Sequence, residues 1–392
     1  MLLDLFKGYF FRFFRYICSI NYFMKILFVR GIISIVVFFC LGACHDEKIK
    51  PQKERTVLVY IAGDNNLSYF SSQNMEGMMK GMKEDNGNLI VYWDQPNVAP
   101  KLLELEVMKN GSVKQRVIKE YKEENSASPA VLARVIRETQ KLYPAKSYGL
   151  VLWSHGTGWF PESPSVKARS FGEDHGSEMD IKELAAVIPD KSFHYIIFDA
   201  CLMGAVEVFY ELRNKADYII ASPTLVPAKG LPYEQVVPYF WGEDSDLEKI
   251  CEAYYDFNNT TTETATITLI KTSELEALYV LCQEILEGKL PEVQTQDKSS
   301  VYRYYVPLAV INYTFYDFAD LIRQVATREE LAKFDAQLKK VVLYCAATRY
   351  FWDYVPVDKD RFSGISTYVP FPDWPGLNNY YFTLSWSGVY GL

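Results

Sequence analysis

Two residues of this 392-residue chain have the types and the setting for nucleophilic chemistry. His155 closes the stretch Gly149-Leu150-Val151-Leu152-Trp153-Ser154-His155-Gly156. Cys201 follows Tyr195-Ile196-Ile197-Phe198-Asp199-Ala200, 46 residues further on. A thiolate is a strong nucleophile, but a free cysteine is mostly thiol at neutral pH. A histidine beside it can take that proton and later hand it to a leaving amine. Gly156 and Cys201 can offer backbone N–H groups to a developing oxyanion. Taken singly, a cysteine after a strand is as readily a small core residue, and a histidine there an ordinary loop residue. It is their joint placement that makes a candidate pair. Asp199 lies two residues before Cys201, and strand alternation points the two the same way. A carboxylate there can pair with an Arg or Lys of a substrate, or simply orient local backbone.

The elements that must position these residues are legible. Leu150–Trp153 and Tyr195–Phe198 are continuous apolar runs, as in parallel strands buried on both faces. Met179–Ile188 has helical spacing with Asp180 placed to cap it, so strand, helix and strand form one crossover unit. Ligands of open α/β sheets sit beyond the carboxyl ends of the strands, where His155 and Cys201 fall. The stretch after Cys201 (LMGAVEVFYELR) reads as a helix whose N-terminus would favour the thiolate. Thr56–Ala62 is predicted as the first core strand, followed by a turn at Gly63–Ser68. Asp64 in that turn either supports the site or caps the next helix, whose Met75, Met78, Met79 and Met82 face the core. Leu89–Trp93 reads as a strand, Leu102–Met108 and Val113–Ile118 as a hairpin across Asn110-Gly111, and Pro129–Leu142 as a helix. Thr157–Ser177 reads as a long polar loop, a length that is usually functional or mobile.

Composition is that of a globular protein, 49% hydrophobic and 23% charged, with net charge −8. Residues 1–43 hold five basic residues and one acid, leaving 36 basic against 48 acidic residues beyond them. So acidic a body argues against nucleic acid and mildly for cationic substrates. Residues 1–43 read as a leader: Lys25 and Arg30 precede the apolar run Gly31–Cys40 and then Leu41-Gly42-Ala43-Cys44. That ending resembles a lipobox, with Cys44 as the lipid-modified first residue of the mature chain and Met24 as an alternative true start; a plain signal peptide or a single membrane anchor is the other reading. Residues 44–55 form a tether. Of the seven cysteines, Cys251, Cys282 and Cys345 remain as buried thiols or a disulfide among them, and no spacing suggests zinc. From about residue 240 the chain turns mainly helical, with Leu247–Tyr255, Ser273–Leu286, Tyr316–Val325 and Glu329–Ala347 as helices and Thr266–Ile270 and Ile365–Val369 as strands.

The stretches TVLVYIAGDNNLS (Thr56–Ser68), LVLWSHGTGW (Leu150–Trp159), MDIKEL (Met179–Leu184) and FDACLMGAVEVFYEL (Phe198–Leu212) together resemble the clostripain-like cysteine peptidases, relatives of caspases, gingipains and legumain. The resemblance implies a caspase-like α/β fold: a mostly parallel sheet flanked by helices, with a catalytic domain at 56–240 and a mainly helical C-terminal subdomain at 241–392. It implies His155 and Cys201 as a catalytic dyad, Asp199 as reader of a basic residue, and cleavage after Arg or Lys. In such enzymes a basic residue of the long loop can be a self-cleavage site, which points to Lys167 and Arg169. Related chains carry acidic residues just after the strand Tyr218–Ser222. Here Pro223–Gly230 carries none and adds Lys229, which loosens the expectation for arginine. No cofactor is required for this chemistry, although calcium-dependent relatives make calcium an open option. The expected protein is a monomeric, lipid-anchored endopeptidase of the bacterial cell envelope, in the outer membrane or at the surface. Two other readings stand beside it: a surface lipoprotein that binds peptides or glycans without turnover, and a thiol hydrolase of small amides.

Overall fold

The computed structural model describes residues 49–160, 170–260, 264–297, 299–304, 315–352 and 355–391. The leader, Cys44, Lys167 and Arg169 lie outside these residues.

Residues 50–392 form one compact unit. Its centre is a nine-stranded sheet built from β1 (Lys53–Ile61), β2 (Asn88–Gln95), β3 (Val98–Val107), β4 (Val113–Glu120), β5 (Ala145–Trp153), β8 (Phe193–Asp199), β9 (Ala216–Ala221), β10 (Thr266–Lys271) and β13 (Val342–Ala347). A hairpin, β6 (Phe171–Asp174) with β7 (Ser177–Met179), stands apart from it, as does a small sheet of β11 (Arg303–Tyr304), β12 (Phe315–Asp317) and β14 (Ser366–Thr367). The spatial order is β13-β10-β9-β8-β5-β1-β2-β3-β4. The middle five strands, β9 to β2, pair in parallel, and an antiparallel pair closes each edge.

The apolar runs have the physical origin expected of them. Along β1, Leu58, Tyr60 and Ala62 pack into one core while Val57, Val59 and Ile61 pack into another. Leu150 and Leu152 alternate with Val151 and Trp153 in the same way, as do Ile196 and Phe198 with Tyr195 and Ile197. Helices cover both faces, so period-two alternation within an all-apolar run feeds two cores. Met75 and Met78 of helix Ser68–Gly81 and Met82 at its C-cap are buried beneath one of them, and Met79 packs against it.

Helix Ile181–Val187, the link between β5 and β8, starts with a capping box. The Asp180 carboxylate accepts from Lys182 N at 2.7 Å while Glu183 reaches back to the Asp180 N–H. Tyr380 from the far end of the chain also donates to Asp180. Asp180→Ala is expected to cost about 1–2 kcal/mol, read as a fall of a few degrees in Tm by scanning calorimetry.

The structure departs from the sequence expectation at several points. β1 begins at Lys53, inside the expected tether, and Lys50 N–H already bonds to Leu142 O at 2.9 Å. The expected loop 157–177 contains the β6–β7 hairpin. Its two central residues, His175 (φ 48°) and Gly176 (φ 76°), both take the left-handed conformation of a tight hairpin turn. The helix expected to reach Ala347 stops at Val341, and Val342–Ala347 turns into β13, antiparallel to β10. Cys251 and Cys282 are buried free thiols, whereas Cys345 is a free thiol on the exposed edge strand.

Candidate active site

β5 and β8 pair in register, with Trp153 opposite Asp199. The residues that follow each strand, Ser154-His155 and Ala200-Cys201, therefore emerge side by side. β1 runs parallel on the other side of β5, with Ile61 opposite Trp153, and delivers the turn Gly63–Ser68 to the same edge. A cleft of about 220 Å³ opens there, lined by His155, Asp199, Cys201, Val226, Leu67 and Trp352 among others. Sequence reasoning had singled out the first three. Val226 and Trp352 carry no motif, and Leu67 stood out only as part of the Thr56–Ser68 stretch; all three reach the cleft through the fold.

Cys201 is partly exposed and sits under the segment that follows β9. Val226 N–H donates to Sγ at 3.2 Å, and the thiol reaches Val226 O at 3.7 Å. Burial pushes the thiol up to about 11, against the Val226 N–H bond, and the nearby Asp199 charge adds to the rise. The expected helix N-terminus is not there to oppose this. Helix Val206–Glu211 begins five residues after the cysteine, and Leu202 is held left-handed at φ 66°. Tertiary hydrogen bonds set that turn: Leu202 N–H to Thr224 O and Gly204 N–H to Ser222 O, both 2.8 Å, and Ser366 N–H to Gly204 O at 3.0 Å.

His155 is pushed below its ordinary 6.5 by burial, with Glu173 acting weakly the other way. Its Nε2 lies 2.7 Å from Asn66 Oδ1. Asn66, a residue the sequence reading did not single out, belongs to the Gly63–Ser68 turn. Only the pairing of β1 with β5 brings it to the histidine.

Asp199 is 5% exposed. Its carboxylate accepts from Leu231 N–H at 3.1 and 3.2 Å and from Tyr233 Oη at 2.9 Å. Burial raises it to about 6, against those hydrogen bonds. Gly230 makes room for it: φ is +65°, and a Cβ there would stand 2.6 Å from Asp199 Oδ2.

Gly156 packs against the nucleophile turn. A Cβ would stand 2.6 Å from Cys201 O and 3.1 Å from Ala200 Cβ. Among the described residues neither the Gly156 nor the Cys201 N–H has a hydrogen-bond partner, as an oxyanion site requires. Gly156→Ala must push the turn aside; kcat is expected to fall about 10–100-fold with little change in KM, measured by steady-state kinetics.

Asp64 does not cap the following helix, whose N-cap is Leu67. It lies 3.4 Å from His175 Nδ1, which also contacts Asp174 at 2.8 Å. Ligand atoms of Asp64, Asp174 and His175 lie within 4.8 Å of one another. Asp174 already accepts from Ser126 N–H at 2.6 Å and from Ser126 Oγ at 3.1 Å. His194, at the opposite end of β8, contacts Asp217 and Asp244 and takes no part in the cleft.

A mostly parallel sheet flanked by helices, with a cysteine and a histidine in one cleft at its carboxyl edge, has the architecture of a cysteine-type peptidase, a hydrolase of protein or peptide substrates. Comparison with known proteins bears out this class. The clostripain family profile matches residues 59–354, and the chain belongs to that family. Clostripain of Hathewaya histolytica is 28% identical over 224 residues, 48% of this chain and 42% of that protein, so the match spans less than half of the curated relative's length. Among solved structures, an inactive zymogen C11 protease from Parabacteroides distasonis shares 37% identity with a TM-score of 0.77, covering 87% of this chain and 99% of that one. A secreted C11 cysteine protease from Bacteroides thetaiotaomicron, solved with an irreversible peptide inhibitor, shares 34% identity with a TM-score of 0.74, covering 86% and 99%.

Proposed function

We propose that this chain is an endopeptidase that cleaves after Arg or Lys, with Cys201 as nucleophile and His155 as general base and then general acid. The observation that carries this reading is the in-register pairing of β5 with β8, which brings His155, Cys201 and Asp199 to one cleft. The substrate's basic side chain enters beside Asp199, whose carboxylate supplies the opposite charge. Apolar walls from Leu225, Val226, Pro227 and Trp352 cover its aliphatic stem. The scissile carbonyl oxygen turns toward the Gly156 and Cys201 N–H groups. With the thiol at about 11, on the order of one molecule in ten thousand is thiolate at pH 7. Proton transfer to His155 therefore accompanies attack. The acyl-enzyme forms as the amine leaves with that proton, and water completes the cycle. The thiol and imidazole supply nucleophile and proton carrier, so the proposed steps call on no metal; a rate lost on adding a chelator and restored by calcium would instead show calcium acting on the fold or the cleft.

The test is a panel of fluorogenic peptides ending in Arg, Lys, Ala or Asp. Turnover confined to Arg and Lys and lost in Cys201→Ala supports the reading. Equal turnover of Ala peptides or simple amides supports a thiol hydrolase of small amides instead. We further propose a monomer anchored to the bacterial cell envelope through a lipid on Cys44, and self-cleavage after Lys167 or Arg169. Cys44→Ala is expected to move the protein from the membrane to the soluble fraction.

A further inference from the structure

The proposed mechanism needs the lone pair of a neutral His155 on one chosen ring nitrogen. A neutral imidazole carries one N–H and one lone pair, and a partner on one nitrogen decides which is which. The partner here is Asn66, whose side-chain oxygen lies 2.7 Å from Nε2. An amide oxygen only accepts, so with the amide in this orientation Nε2 carries the proton and the lone pair is left on Nδ1.

The turn that presents Asn66 is tied to the histidine strand at two shared points. Asn65 Nδ2 donates to Ala62 O at 3.0 Å and to Glu173 O at 2.8 Å. Ser154, the residue before His155, donates from Oγ to the same Ala62 O at 2.7 Å and accepts from Glu173 N–H at 3.0 Å. The neighbour of each partner thus grips the Ala62 carbonyl and the Glu173 backbone. Asn65 Oδ1 also accepts from Leu67 N–H at 2.9 Å, which fixes the turn itself. His155 O in turn accepts from Gly172 N–H at 3.2 Å.

We propose that Asn66 is a positioning residue that fixes His155 as the Nε2–H tautomer and reserves Nδ1 for the Cys201 proton, through a turn clamped by Asn65 and Ser154. This rests on the assignment of His155 and Cys201 as the catalytic pair. During attack the thiol proton moves to Nδ1 while sulfur bonds to the carbonyl carbon. The ring is then a cation with both nitrogens protonated, and its Nε2–H still points at the Asn66 oxygen dipole. When the C–N bond breaks, the Nδ1 proton goes to the leaving amine and the neutral tautomer returns. The opposite orientation of the Asn66 amide would aim NH2 at Nε2, force the proton onto Nδ1 and leave no base for the thiol.

The test combines a spectrum with kinetics in the full chain. With only four histidines, two-bond 1H–15N spectra of Cys201→Ala protein, assigned by His155→Gln, report the His155 tautomer without any turnover. The expected result is the Nε2–H form in that protein and a mixture once Asn66→Ala is added. In otherwise unchanged enzyme, Asn66→Ala is expected to lower kcat about 10–100-fold with KM within twofold. Asn66→Asp keeps the acceptor, so it should recover most of that kcat and move the acidic limb of kcat to higher pH. An Nδ1–H form in the parent protein, or a tautomer and kcat indifferent to Asn66→Ala, overturns the proposal. Full activity of Cys201→Ala would instead sink the catalytic pair itself, so the two failures are distinct.

Discussion

Cys201→Ala is expected to lower kcat on Arg and Lys peptides by roughly 10⁴-fold or more, with near-native circular dichroism and a Tm within a few degrees of the parent. The effect is this large because a methyl group can form no acyl-enzyme, and the remaining groups of the cleft act only through an attached substrate. His155→Ala should lose activity to a similar extent, and the double variant little more, because groups that act as a unit are not additive. The same variant reports on processing. If the chain cuts itself after Lys167 or Arg169, intact-mass spectra of Cys201→Ala will show a single uncut chain. Measured turnover within tenfold of the parent would remove Cys201 from the mechanism.

Asp199→Asn is the second large effect. It keeps the size and removes the charge, and kcat/KM for Arg and Lys peptides is expected to fall roughly 100–1000-fold, as when one member of a buried charge pair is lost. Peptides with an uncharged residue at that position should change far less, so selectivity collapses rather than catalysis. The pH dependence has a definite sign. Burial places Asp199 at about 6, so the charged form that attracts the substrate prevails above that value and is lost below it. KM for Arg and Lys peptides should therefore rise as pH falls through 6, approaching tenfold per pH unit. The rise should be absent with uncharged peptides and in Asp199→Asn. His155 titrates in a neighbouring range, lowered from 6.5 by burial, but its protonation is read in kcat. A KM that stays flat from pH 7 to 5 would count against Asp199 as the substrate's charge partner.

Much of this was legible in the sequence, for physical reasons. Buried parallel strands must be apolar on both faces, so Leu150–Trp153 and Tyr195–Phe198 announced themselves without alternation. Turn chemistry marked the Asn110-Gly111 hairpin, and Asp180 marked the start of the helix it caps. The features that escaped are those fixed by tertiary context. The amphipathic pattern of Arg328–Val341 runs on into Val342–Ala347, and only the free edge of β10 turns that stretch into a strand. Residues 202–205 include Leu, Met and Ala, which favour helix, yet their backbone is taken by Ser222 and Thr224 from the segment after β9 and by Ser366 of β14. Asn66 and Trp352 come to the cleft from 89 residues before and 151 residues after the residues they join there, His155 and Cys201.

The burial of the nucleophile also bears on how long the enzyme survives. Peroxide and similar oxidants attack thiolates, and the resulting sulfenic acid proceeds to irreversible forms. A thiol at about 11 carries roughly a hundredth of the thiolate of an ordinary one near 9. Burial of Sγ therefore keeps the resting sulfur chemically quiet, against the Val226 N–H bond, which favours the thiolate. Damage by oxidants, and alkylation by small electrophiles that lack a basic side chain, should be slow until a substrate occupies the cleft and draws the proton away.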